Sequence, residues 1–261
     1  VQLPVDNIIT AVKDGFGNIM KSLGIIIVLG TTLGVLLEHT GSTKVMAAAI
    51  LKKTGERNAA LAMSLTGFIV GLPIFCDSGF IVLSGLNKSL AKRTGISVAI
   101  MSVSLATGLY AVHCLIPPHP GAAAAASTID VDFGKLILLG IITAIPAMLA
   151  GFLWANYAGK KIQKMAVEEE IIPEAAAHLP SAIKAFLPVI VPIILIAVKS
   201  FLSIENSSGG WLKIFSSLGD PVIALVMGVL LVLNGRRRWK RTTISQLFTE
   251  SEEKEGSILV I

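Results

Sequence analysis

Six apolar runs, each about 18 to 25 residues long, divide this chain: 19–37, 59–83, 98–117, 136–157, 185–202 and 212–234. A helix needs about 20 apolar residues to cross a bilayer core of about 30 Å. Such a series excludes an ordinary soluble domain. Only 15% of the 261 residues are charged, against about 25% in soluble proteins. The expected fold is therefore an all-α membrane protein, a polytopic helical bundle. The net charge of +5 does not point to nucleic acid, because its Lys and Arg residues cluster in short loops, where they set orientation. Nothing in the sequence asks for a cofactor.

The most informative stretch runs from Gly71 to Pro120. It holds Gly-Leu-Pro-Ile-Phe-Cys-Asp-Ser-Gly-Phe (Gly71–Phe80) and His-Cys-Leu-Ile-Pro-Pro-His-Pro-Gly (His113–Gly121). An acid and two histidines sit here among residues that otherwise belong in lipid. Ionisable groups at membrane depth are costly and mark substrate or proton paths. Glycines and prolines beside them break the helix, and broken backbone is tolerated at that depth only inside protein or along a cavity. Residues 59–83 would form a straight helix of about 37 Å, so Leu72 to Ser78 is read as a link between two half-helices, a broken transmembrane helix. The competing reading is one Pro-kinked helix with Asp77 lining its end.

The first run contains Gly24, Gly30 and Gly34. It fits a plain spanning helix packed through small residues. It also fits a re-entrant hairpin with its tip at Gly30 to Gly34, where glycine lets backbone approach a ligand and Thr31 and Thr32 supply donors. The hairpin is the sharper expectation, with a return arm over 35–51. Residues 1–14 read as an amphipathic interfacial helix. Gly219-Asp-Pro reads as a helix start with Asp220 as N-cap. The organisation expected is 1–58 interfacial helix and hairpin, 59–135 transport core, 136–254 three further membrane helices, and 255–261 the start of a truncated second hairpin. No cleavable signal is visible. The chain begins at Val1 and stops within an apolar run, so it reads as an internal piece of a longer protein.

The basic clusters 236–241, 160–164 and Lys88, Lys92, Arg93 fall on one face by run counting, which makes that face cytoplasmic. Lys44, Lys52, Lys53 and Arg57 disagree, landing outside.

Asp77, His113 and His119 form the candidate proton-coupling set, since histidine titrates near neutral pH and burial can raise an acid into that range. The candidate substrate-binding set is Gly30, Thr31, Thr32, Gly34, Asp77, Ser78, His113 and His119. No Lys or Arg is placed in the core, so a carboxylate would be held by helix ends and neutral donors. Blander readings stand beside each: Asp77 as a helix cap, His113 as an interhelical hydrogen-bond partner, His119 as a solvated interfacial group. Cys76 and Cys114 read as reduced thiols, although a disulfide between packed helices remains open. A metal site is not expected, because His113 and His119 lie six apart with two prolines between rather than at i, i+4, and no general-base Glu lies between them. No Gly-x-Ser-x-Gly nucleophile occurs, which argues against an intramembrane enzyme. A channel is the third class; it would not saturate.

These motifs, with Gly30-Thr-Thr-Leu-Gly-Val-Leu-Leu-Glu-His-Thr-Gly and Leu218-Gly-Asp-Pro, resemble the gluconate permease family of bacterial proton symporters along the whole piece. The resemblance implies two inverted repeats, each with a hairpin and a broken helix. This chain would hold roughly the first repeat and the start of the second. It also implies a bacterial inner-membrane protein, multi-pass, that takes up gluconate or a related sugar acid with protons. A sodium-coupled carboxylate or D-serine carrier is the alternative. The partners expected are a small carboxylate, protons and the lipid bilayer; a homo-oligomer is compatible. Family members often carry an aromatic residue at Cys76, Glu at Asp77 and Pro at Ala122, which implies a different pocket size here.

Overall fold

The computed structural model describes residues 5–117, 119–159, 179–204 and 217–235, with 247 and 249. The basic clusters 160–164 and 236–241, the outer loop 203–210 beyond Ile204, and the expected second hairpin at 257–261 lie outside the described residues. Those described are helical or in turns, with no strand among them.

Helix α1 spans Val5–His39. The interfacial segment and the first apolar run are one continuous helix of 35 residues. Gly30 to Gly34 lies inside it, so this stretch is not a hairpin tip. Glycine in a membrane helix also serves close packing, and that is its use here: a Cβ on Gly34 would fall 2.8 Å from the Pro73 carbonyl oxygen. The chain turns only at Thr40–Gly41. Gly41 has φ 70°, a conformation that favours glycine, and α2 (Ser42–Thr54) leaves at 71° to α1. Lys44, Lys52 and Lys53 are exposed along α2.

A short 3-10 turn (Glu56–Asn58) leads to α3 (Ala59–Val70), a break at Gly71–Phe75, and α4 (Cys76–Thr94). The break is where Gly71 and Pro73 predict it, but it is shorter than expected, and Cys76, Asp77 and Ser78 are wound into α4. The two half-helices are folded back rather than collinear. Helix α5 (Val98–Leu115) shows this. Ser64 Oγ donates to the Ser104 carbonyl at 2.7 Å, while Gly71 packs on Leu109, so α3 runs parallel to α5. Asn87 bonds Ser102 at 2.9 Å and Gly79 abuts Leu109, so α4 runs antiparallel to it. The re-entrant hairpin is therefore α3–α4, with its tip at Gly71–Phe75.

The interrupted helix lies one element later. α5 ends at Leu115, and α6 (Pro120–Thr128) restarts after a break. α3 and α5 meet backbone to backbone: a Cβ on Gly108 would clash with the Ser64 carbonyl oxygen, and one on Gly67 with that of Leu105. Helix α7 (Phe133–Gly159) runs antiparallel to α5, with Gly140 on Leu115, Gly151 on Thr107 and Gly159 on Ile100. Helix α8 (Ala182–Ile204) packs on α2, α7 and α9 (Pro221–Gly235), and α9 in turn packs on α1, so that Gly228 meets both Pro188 of α8 and Leu33 of α1. Leu139, Ile142, Leu149 and Leu153 of α7 and Ile183, Ile190 and Ile194 of α8 are exposed. Exposed apolar faces of this kind suit lipid.

Arg93 pairs with Glu56. This places the α2–α3 link and the α4–α5 link on one membrane face. The conflict over Lys52, Lys53 and Arg57 disappears, because α1 crosses, α2 lies at a steep angle to it, and the α3–α4 hairpin returns to the face it left. Asp220 caps α9 as expected, its Oδ1 accepting from the Val222 N–H at 3.0 Å. Its Oδ2 pairs with Lys199 at 3.4 Å. Lys199 lies within the apolar run of α8 and is thus held by the acid that caps α9.

Candidate functional site

The hairpin tip and the α5–α6 break meet. His119, the N-cap of α6, is buried at 3% exposure, and its Nε2–H donates to the Gly71 carbonyl at 2.7 Å. The expectation of a solvated interfacial histidine does not hold, because folding the α3–α4 hairpin back on α5 covers the ring. His113, in the last turn of α5, is half-buried, and its ring lies 4.5 Å from that of His119. Its Nδ1 is buried and has no hydrogen-bond partner. A buried polar atom left unpaired costs about 1–3 kcal/mol, so a ligand or proton partner there would gain that amount.

Phe75, which sequence reasoning passed over, links the two histidines. Its ring meets His113 at 6.1 Å and His119 at 5.7 Å, edge-on in both cases. The Tyr110 ring lies 6.0 Å from that of His113. An aromatic residue two positions after the proline of a membrane break was the available signal. Asp77 is exposed on the first turn of α4, near enough for its charge to act on His113. Its Oδ1 accepts from the Cys76 thiol at 3.5 Å. Ser78 follows on the same turn.

Two helix N-termini converge on this cluster. Phe75 caps α4 and His119 caps α6, and neither contributes a side-chain cap hydrogen bond. The first-turn N–H groups of a helix have no intrahelical partner, and the macrodipole puts about half a positive charge at each such end. The pair sets two helix ends that favour an anion side by side.

Gly30, Thr31, Thr32 and Gly34 are brought beside the tip rather than into the imidazole cluster. Thr31 and Thr32 are buried, and Thr31 Oγ1 donates to the Ile27 carbonyl at 2.9 Å. Gly34 touches the tip through Pro73. A separate, partly open space of about 530 Å³ lies against the tip, lined by Leu72, Pro73, Ile116, Pro117, Pro192 and Pro221 among others. Its apolar walls do not suit a carboxylate. Among the described residues no group of three or more metal-binding side chains occurs.

Gly140, which packs on Leu115 at the α5 end, is about 10 Å along α7 from its start and about 28 Å from Gly159, so the cluster lies nearer the start of α7 than its middle.

The GntP family permease profile matches residues 1–261. The gluconate permease of Pseudomonas aeruginosa is 34% identical over 239 residues, 88% of this chain and 53% of that protein. The high-affinity gluconate transporter of Escherichia coli is 32% identical, over 88% of this chain and 53% of its own length. The L-idonate transporter of the same organism is 26% identical, over 97% and 58%. The chain thus spans about half the length of the curated relatives it matches. No solved structure matches it.

Proposed function

This chain belongs to the GntP permease family, and from that premise we propose that it carries half or more of the substrate site of a proton-coupled sugar-acid symporter. As a family member it is a non-enzymatic, multi-pass protein of the bacterial inner membrane. Relatives are named for gluconate and L-idonate, both polyhydroxy carboxylates.

The observation that carries the reading is the meeting of the α4 and α6 N-termini, whose cap residues Phe75 and His119 have rings 5.7 Å apart. A carboxylate placed there gains the field of two helix ends and their unpaired N–H groups. His113 completes the set. Protonated at its open Nδ1, it would pair with the same carboxylate; neutral, it would let go. Asp77, exposed on the first turn of α4, is the other member of the proposed coupling set. Substrate and proton then favour each other's binding, which is the linkage that symport requires. His119 acts differently in this scheme. Its Nε2–H is committed to Gly71, so it holds the two breaks together rather than relaying a proton.

The test is uptake of labelled gluconate into proteoliposomes holding the full-length protein. The reading expects saturable uptake that rises when the outside is made acidic. Uptake that is linear in concentration would indicate a channel. Uptake indifferent to the proton gradient, and dependent on sodium, would overturn the coupling.

A further inference from the structure

We propose that Tyr110 is a specificity-determining residue of the sugar-acid site. Its phenol hydroxyl bonds a hydroxyl on the substrate's tail, while His113 and the two helix ends hold the carboxylate. This rests on the transport reading and adds to it the part of the ligand that makes it a sugar acid. The sequence has two tyrosines. Tyr157 lies in the last turn of α7, toward a membrane edge, where tyrosines gather. Tyr110 lies elsewhere. Thr107 of α5 abuts Gly151 of α7, and Leu115 abuts Gly140. Tyr110, between them, is therefore level with the middle of α7, a helix about 40 Å long. At that depth it is 60% exposed, and its hydroxyl makes no hydrogen bond among the described residues. A hydroxyl turned to acyl chains stays unsatisfied, at a cost; one turned to a hydroxylated ligand does not.

What adjoins Tyr110 is the site. It stands three residues before His113 on α5, a spacing that puts both on one helix face. The two rings are 6.0 Å apart, and the offset along the helix is about 4.5 Å. Leu109 packs against both Gly71 and Gly79, so the hairpin covers the neighbouring face of α5 and leaves Tyr110 open. A carboxylate paired with His113 sets the rest of the same molecule within reach of the phenol. The carbon chain of gluconate is longer than the offset, so the hydroxyls concerned are those on its far half, at C4 to C6. Tyrosine suits the task, because its O–H both donates and accepts. The helix ends and imidazoles recognise a carboxylate, which every simple organic acid shares. A group that bonds a substrate hydroxyl rejects analogues lacking it more strongly than an apolar wall can.

The experiment is calorimetric binding to the purified full-length protein, as wild type, Tyr110→Phe and Tyr110→Ala. The ligands are gluconate and the gluconates lacking the hydroxyl at C4, C5 or C6, and thermal midpoints are recorded for each protein. Tyr110→Phe should keep the wild-type midpoint and weaken gluconate binding about two- to tenfold. Tyr110→Ala should weaken it at least as much. For the deoxy acid that lacks the contacted hydroxyl, wild type and Tyr110→Phe should bind alike. Unchanged gluconate affinity in Tyr110→Phe would overturn the proposal and leave the transport reading standing. An equal loss for gluconate and every deoxy acid would also overturn it, since a side chain that only packs against the rest of the protein gives that result. A wild type that binds none of these acids would overturn the sugar-acid reading, and the proposal with it.

Discussion

His119 Nε2–H donates to the Gly71 carbonyl at 2.7 Å, and this bond ties the α5–α6 break to the hairpin tip. Both partners are buried. His119→Ala leaves the carbonyl unpaired, at a cost of about 1–3 kcal/mol, and should lower the thermal midpoint in detergent by several degrees. His119→Gln, which keeps a donor, should recover part of the loss. Equal stability of wild type and His119→Ala would remove this bond from the account.

His113 should behave in the opposite way. Its Nδ1 has no partner to lose, so His113→Asn should leave thermal stability nearly unchanged. A hydrogen bond to a charged group is worth about 1.5–3 kcal/mol, so the KM for gluconate should rise about tenfold or more. Uptake kinetics on the same preparation check both statements.

The α3–α5 contact leaves no room for a side chain. Gly108→Val would drive a Cβ into the Ser64 carbonyl oxygen, and overpacking of this kind costs about 1–3 kcal/mol or more. The yield of folded protein in membranes should fall sharply. Gly17→Ala, with nothing within 4 Å of the new atom, should be neutral or slightly stabilising, because alanine suits a helix better than glycine by about 0.5–1 kcal/mol.

The Arg93–Glu56 pair predicts topology more than stability. Its side chains are 58% and 55% exposed, so Arg93→Ala should cost less than about 1 kcal/mol. Single cysteines at Lys53 and Lys92, in a background without Cys76 and Cys114, should both react with impermeant maleimide from the cytoplasmic side. Labelling of the Lys53 position from outside would contradict the hairpin.

Much of this was legible in the residues. Gly71 and Pro73 announce a break, the Pro-Pro-His-Pro segment announces another, and Asp220 announces a cap; each acts through its own backbone, so local sequence suffices. Whether two half-helices continue in line or fold back depends on what they pack against. That information lies in Ser64, Gly67 and Gly108 for α3 and in Gly79 and Asn87 for α4, through contacts with residues 15 to 44 positions away. Apolar pattern alone is the same in either case. Gly30 to Gly34 misled for a related reason, because a glycine that admits a neighbouring backbone looks the same as one that turns its own. The blander reading of His119 as a solvated interfacial group fails because the folded hairpin buries the ring. The meeting of two helix starts at Phe75 and His119 could not be read at all, since it joins elements 44 residues apart.

The most direct measurement is calorimetric binding of gluconate and of gluconamide to the purified full-length protein. The two ligands match in shape and hydroxyls and differ in charge. If the α4 and α6 N-termini hold a carboxylate, gluconate should bind saturably and the amide at least about tenfold more weakly. Equal affinity for the two would contradict the account.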